Sequence, residues 1–210
     1  MKKLVFVMLF GLMLMVTGSA SAQDRSCKSA DPSDNEVFIY LDINFGGTCV
    51  RLEKVGSNFP KADTLGLPND SISSIKVGNG VRALVCIDYD YKGDCQSHLQ
   101  NWSDLSNTVV GNDQISSIKV LQKRKAVQMT FFNRTDKAIR IYELVGGVNS
   151  YLGTVDPNAG ALIGSDVMTS IVGMIDGKEV GGRFQIKDES AKEINIGSNN
   201  KGAIQMTLKQ

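Results

Sequence analysis

The chain has 210 residues, of which 42% are hydrophobic and 21% charged, with a formal charge of +1. That is an ordinary globular composition, sized for one large domain or two small ones. The near-neutral balance and the lack of a basic stripe argue against nucleic acid as a partner.

Residues 1–22 have the pattern of a secretory signal. Lys2 and Lys3 form a positive n-region, and Leu4 to Val16 is an unbroken apolar run of 13 residues. Thirteen residues are too few to span roughly 30 Å of hydrocarbon. Ser19-Ala20-Ser21-Ala22 ends in the small-x-small pattern of signal peptidase, which predicts cleavage after Ala22. The short n-region and this cleavage site are of bacterial type, so a secreted or periplasmic protein with no membrane span after cleavage is expected. Asp24-Arg25-Ser26 before Cys27 is polar and does not fit a lipid-anchor motif. The mature chain then carries 21 basic against 22 acidic side chains, a net −1. Residues 23–34 are expected to be an N-terminal tail.

Export permits disulfides. Cys27, Cys49, Cys86 and Cys95 all fall in the first half of the mature chain, and four cysteines allow three pairings. Cys86–Cys95 across one hairpin is favoured, with Cys27–Cys49 by analogy. Cys49–Cys95, at equivalent repeat positions, is the main competitor. With no CxxC and His98 the single histidine, a zinc site is not expected.

The next segment repeats itself. Ile72–Val77 and Ile115–Val120 both read ISSIKV, 43 residues apart, and each follows an Asn-Asp pair, Asn69-Asp70 or Asn112-Asp113. Phe45-Gly46-Gly47 and Tyr91-Lys92-Gly93 are offset by 46, as are Cys49 and Cys95. The units run from about Glu36 to Val77 and from Val81 to Val120. Val37–Tyr40 and Arg82–Ile87 are β-rich, and each leads into a glycine-bearing hairpin followed by Cys49–Leu52 or Cys95–Leu99. In Ile72–Val77, Ile75 and Val77 share one face and Ser74 and Lys76 the other. Short strands with turn residues at this spacing predict an all-β sandwich.

The loops Asn69-Asp70-Ser71-Ile72-Ser73-Ser74 and Asn112-Asp113-Gln114-Ile115-Ser116-Ser117 carry the chemistry. Paired Asx residues start a tight turn by capping nearby amides. The turn leaves carbonyl and carboxylate oxygens facing one space, with Ile72 turned to the core and Ser73 aimed back at the loop. An oxygen set that is partly backbone suits calcium, which takes six to eight oxygens in flexible geometry.

These residues resemble the βγ-crystallin family over residues 35–121, in its microbial calcium-binding form. Tyr40-x4-Phe45-x-Gly47 fits the Greek-key signature; in the second copy Cys86 replaces the first aromatic, while Tyr91-x-Gly93 fits. Both loops match [ND][ND]xx[ST]S at every fixed position. The resemblance implies two Greek-key motifs that together hold about two calcium ions. Ser73 and Ser116 would supply hydroxyls, and Asp70 and Asp113 the nearest carboxylates. Asn69, Ser71, Asn112 and Gln114 lie in the same loops. The partner motif's first hairpin would complete each shell, in the region of Asp42 and Asp88. A Cys86–Cys95 bond would stand in for the missing aromatic.

Residues 122–125 (Lys123-Arg124-Lys125) are expected to be a solvated linker to a second β-sandwich over 126–210. Its expected strands are Val127–Phe132, Ala138–Leu144, Tyr151–Val155, Ser170–Ile175, Gly182–Ile186 and Ala203–Leu208. Turns are expected at Asn133–Asp136, Gly146-Gly147 and Asp176-Gly177. Phe131-Phe132-Asn133-Arg134-Thr135 and Ser150-Tyr151-x-Gly153-Thr154-Val155-x-Pro157 resemble the β-domain of the von Hippel–Lindau family over residues 126–190. That domain binds a hydroxyproline peptide in eukaryotic relatives. Tyr151 and Ser165 fall near two of the contact positions, but Thr169 and Ile171 stand where histidine and tryptophan are needed, so hydroxyproline recognition is not implied. A protein or cell-surface partner is left open.

Catalysis is not expected. His98, in a predicted surface strand, has no nucleophile in its pattern, the acidic residues form no pair for glycoside chemistry, and no phosphate-binding loop occurs. Trp102 is expected to be a packing residue. Two functions follow: a monomeric, secreted, calcium-stabilised structural or interaction protein, or a secreted protease inhibitor of crystallin type with cysteines near its hairpin glycines.

Overall fold

The structure is a computed structural model that describes residues 26–27, 29–53, 55–187, 192–198 and 204–209. The predicted signal peptide and the start of the tail lie outside the described residues.

The first repeat forms β1 (Glu36–Asp42), β2 (Gly46–Glu53), β3 (Asn58–Phe59) and β4 (Ser74–Val77). The second forms β5 (Val81–Cys86), β6 (Cys95–His98) and β7 (Ser117–Gln122). Their sheets run β2–β1–β4 and β6–β5–β7–β3. The third strand of each repeat crosses to the other repeat's sheet: β3 pairs with β7, and Trp102 bridges to Ile75 on β4. This exchange is the Greek-key signature. It closes a shared core around residues such as Val37, Ile39, Ile75, Val85 and Ile118. Ile75 and Val77 are buried as the alternation predicts, and Lys76 is half-buried. Ser74, on the opposite face, is also buried, and its hydroxyl ties down a hairpin.

Both favoured disulfides are present, Cys27–Cys49 and Cys86–Cys95, with Cα separations of 5.8 and 4.1 Å. Cys86 sits directly opposite Cys95 in the β5–β6 register. Cys49 lies on β2, in the other sheet, which removes the Cys49–Cys95 alternative.

The second half comprises β8 (Ala126–Asn133), β9 (Ile139–Val145), β10 (Val148–Val155), β11 (Gly160–Asp166), β12 (Ser170–Ile175), β13 (Lys178–Gln185), β14 (Lys192–Ser198) and β15 (Ile204–Lys209). Strands β10–β9–β12–β13 form one layer and β15–β14–β8–β11 the other, joined by one parallel pairing of Gly181 with Gln205. They enclose a second core that includes Met129, Phe131, Ile141 and Ile171. Gly146-Gly147 and Asp176-Gly177 make the two-residue hairpin turns expected of them, all four with positive φ. The Asn133 turn is also as expected: the Asn133 amide donates to the carbonyls of Lys137, Val155 and Asp156. Strands β11 and β14 had no clear signal. Gly-Ala-Leu-Ile-Gly-Ser-Asp has one β-branched residue in seven, and β14 is interrupted by Lys, Glu and Asn.

Residues 122–125 are not a free linker. Gln122 still belongs to β7, Lys123 N–H donates to Gly80 O at 3.0 Å, and Arg124 N–H donates to the Asp166 carboxylate at 3.0 Å. The halves dock along β6 and β10, which pair in parallel at Gln96 and Tyr151. Arg82 of β5 is fully buried between Glu143 and Asp166, with Nη1 3.0 Å from Asp166.

Candidate metal centres

Each Asx pair forms its turn with the second residue left-handed: Asp70 has φ 54 and Asp113 φ 51. Aspartate is among the few non-glycine residues that enter this region readily. The chain then enters β4 or β7 beside its own repeat's hairpin. Ser73 N–H donates to Tyr40 O at 3.0 Å, and Ser116 N–H to Cys86 O at 3.0 Å.

The serine hydroxyls reach across the pseudo-twofold axis. Ser73 Oγ donates to Asp113 Oδ1 at 2.8 Å, and Ser116 Oγ donates to Asp70 Oδ1 at 2.8 Å. Both serines are buried and both aspartates exposed, so each pair runs from the protein wall to the solvent. Asn112 adds a buried Oδ1 with no hydrogen-bond partner. Asn69 and Gln114 are exposed, and Ser71 Oγ is committed to Pro68 O at 2.6 Å.

This corrects the expected arrangement. A loop's hydroxyl meets the other loop's carboxylate, and it lies beside its own hairpin rather than its partner's. The cause is the register: β1 and β4 are antiparallel with Tyr40 opposite Ser74, which leaves Ser73 next to the hairpin of its own repeat. Asp42 and Asp88 are turned to their own hairpins. Their carboxylates lie 2.6 and 2.7 Å from where a Cβ on Gly47 or Gly93 would stand, and both glycines have φ +69. Any other residue there would both strain the backbone and strike the aspartate.

Ser74 and Ser117, the last residues of the motifs, were not candidate site residues and have a distinct role. Their hydroxyls donate to Asp42 O and Asp88 O at 2.6 and 2.7 Å and accept from Phe45 N–H and Tyr91 N–H, both at 3.1 Å. They clamp the hairpins while Ser73 and Ser116 face the loops. Their signal was the fixed serine ending both copies. Asp63 was also missed: it accepts from the Tyr89 hydroxyl at 3.3 Å. Burial first, then Asp63 and Asp70, raises the Tyr89 phenol above its ordinary range.

The donors are all oxygens, one carboxylate for each hydroxyl. Among the described residues no three His, Cys, Asp or Glu side chains gather in a cluster that could hold a metal. That set suits a hard cation, and oxygens 2.8 Å apart can share an edge of a shell with bonds of about 2.3–2.6 Å.

His98 is not a surface residue. It is 1% exposed, edge-on to Trp102 at 5.7 Å, and burial lowers its pKa to about 4. Trp102 packs against the first core as expected. Ser165 is not available to a partner: it is buried, donating to Glu143 at 2.6 Å, with Thr169 Oγ1 3.1 Å away. Tyr151 is half-buried against Tyr142, with the Arg140 guanidinium 4.9 Å from its ring centre.

No protein-family profile matches the chain. The development-specific protein S homolog of Myxococcus xanthus is 31% identical over 96 residues, covering 46% of this chain and 53% of that protein. Spherulin-3A of Physarum polycephalum is 34% identical over 98 residues, covering 45% of this chain and 91% of that protein. The chain thus spans about half the length of the first relative and nearly all of the second. Among solved structures, a βγ-crystallin domain from Flavobacterium johnsoniae is 30% identical, with a TM-score of 0.37, covering 41% of this chain and 93% of that one. The N-terminal domain of protein S is 29% identical, with a TM-score of 0.37 and coverages of 41% and 96%. Over about half of its length the chain belongs to the βγ-crystallin family.

Proposed function

We propose that this is a secreted, calcium-stabilised structural or protein-interaction protein that binds about two calcium ions, one at each Ser–Asp pair. The observation that carries this is the reciprocal pairing of Ser73 with Asp113 and Ser116 with Asp70. Each pair bridges two loops about 40 residues apart in the chain, so an ion held there would cross-link the two Greek keys. Asn112 Oδ1 and loop carbonyls would add neutral oxygens. With one carboxylate and otherwise mostly neutral oxygens per centre, we expect dissociation constants of about 10⁻⁵ to 10⁻⁴ M, far weaker than multi-carboxylate buffer sites. Two disulfides suit an oxidising compartment, and among the described residues no helix is long and apolar enough to cross a membrane.

At a free calcium of about 100 times the dissociation constant, each site adds ~2.7 kcal/mol to folding stability. The melting temperature should therefore rise with millimolar calcium, and calorimetry should count about two ions. Ser73→Arg and Ser116→Arg should each remove one. An unchanged melting curve, or two ions still bound to the double variant, would refute the assignment.

For the second half we infer an interaction or structural role, in line with its von Hippel–Lindau-like turn motifs. Tyr151 remains a candidate contact.

A further inference from the structure

The two centres share a framework and differ in surroundings. The tip of the first hairpin carries Asn44 (φ 57), and the second carries Asp90 (φ 56) at the equivalent position. Asn44 N–H donates to Ser103 O at 2.6 Å, and Asp90 N–H to Pro60 O at 2.9 Å, so each tip closes on the other repeat. The second tip has a carboxylate where the first has a neutral amide, but Asp63 and Lys61 both lie beside it at Tyr89, and Asp104 shares a side-chain hydrogen bond with Asn112 at the first centre, so charge does not separate the two centres.

Behind the hairpins the difference is larger. Lys76 lies over the Phe45 ring and reaches Ala30 O and Asp31 of the N-terminal segment. Its counterpart Lys119 lies 3.9 Å from the Tyr91 ring centre and donates to Gly146 O at 3.0 Å, in the turn between β9 and β10. Val145 and Val148 flank that turn and pack against the buried Cys86–Cys95 pair together with Tyr91. Asp94, just before β6, accepts from Arg140 at 3.1 Å. The second hairpin is thus backed by the C-terminal half.

We propose that occupancy of the Ser116–Asp70 centre is coupled to docking of the C-terminal half, while the Ser73–Asp113 centre is independent of docking. This rests on the calcium assignment above. The link is continuous. Ser116 N–H is bonded to Cys86 O, and Ser117 Oγ grips Tyr91 N–H and Asp88 O. Calcium holds the inner side of this hairpin and the C-terminal half holds its back, so ordering by one lowers the ordering cost met by the other. Such coupling is reciprocal.

Calorimetric titration of the full chain with calcium should count two ions. Ser116→Arg and Ser73→Arg should each leave a single calcium site. Hydrogen exchange across Val145–Tyr151 should slow on adding calcium in the unmodified chain and in Ser73→Arg, but not in Ser116→Arg. Val148→Asp puts a charge into the docked surface and should weaken the site left in Ser73→Arg about fivefold or more, leaving the site left in Ser116→Arg unchanged. If that variant does not fold, the exchange measurements on the serine variants decide. Two ions bound with no calcium response at 145–151, or an equal response in both serine variants, would overturn the coupling and leave the calcium assignment standing. Absence of any calcium binding would overturn both.

Discussion

The two Greek-key repeats are the same structure used in two ways. Outer edges of equivalent strands, β2 and β6, are both covered, and at equivalent residues. Val50 of β2 bridges to Ser26 of the N-terminal segment, which Cys27–Cys49 staples in place. Gln96 of β6, 46 positions later, pairs with Tyr151 of the second half. An open sheet edge is a liability, and here one repeat closes it with a short tail and the other with a whole sandwich. The features that repeat are those that build the hairpins and loops: left-handed tips, clamping serines and Asx turns. The features that diverge face outward or fill the space behind the second hairpin. Glu36 becomes Arg82, Tyr40 becomes Cys86, and Leu52 becomes His98. The frame is thus preserved by local turn chemistry while its neighbours specialise.

The largest test of this contrast is Arg82→Ala. It would leave the fully buried carboxylates of Glu143 and Asp166 without their cation, a loss of about 3–5 kcal/mol. Urea unfolding should show it as a lower midpoint.

His98 should make the second repeat acid-sensitive. Its pKa is about 4 in the fold against 6.5 when exposed. Its share of stability is intact above about pH 6.5 and is lost as pH falls toward 4, because the unfolded chain takes up the proton first. At about 1.36 kcal/mol per pH unit this amounts to about 3 kcal/mol. His98→Leu, copying the buried Leu52, should flatten that part of the stability–pH curve. An identical slope in the variant would show that other groups set it.

The smallest expected effect is Glu36→Ala, at the position equivalent to Arg82. Its partner Arg51 is 3.5 Å away and both are partly exposed, at 22% and 18%. Such pairs are worth about 0–1 kcal/mol. A loss as large as that of Arg82→Ala would erase the distinction between the two repeats.

Local chemistry was legible in the sequence. The doubled ISSIKV strands, the Asx loops, the hairpin glycines and the Gly146-Gly147 and Asp176-Gly177 turns each depend on residues within a few positions of one another. So does the Cys86–Cys95 bridge, nine residues apart across a single hairpin. The all-β class and the family followed from these. Tertiary structure decided what lies across longer distances. The exchange of third strands between sheets sets Ser73 against Asp113 rather than Asp70, a pairing 40 residues apart. Docking of the second half turns Arg82, Glu143, Asp166 and Ser165 into a buried network with members up to 84 residues apart. It also makes a bound junction of an expected linker. His98 looked like a surface residue because its alternation showed only which side of β6 it occupies, and burial of that side was set by the packing of other strands against it. Periodicity assigns a residue to a face; only the assembled layers determine what that face meets.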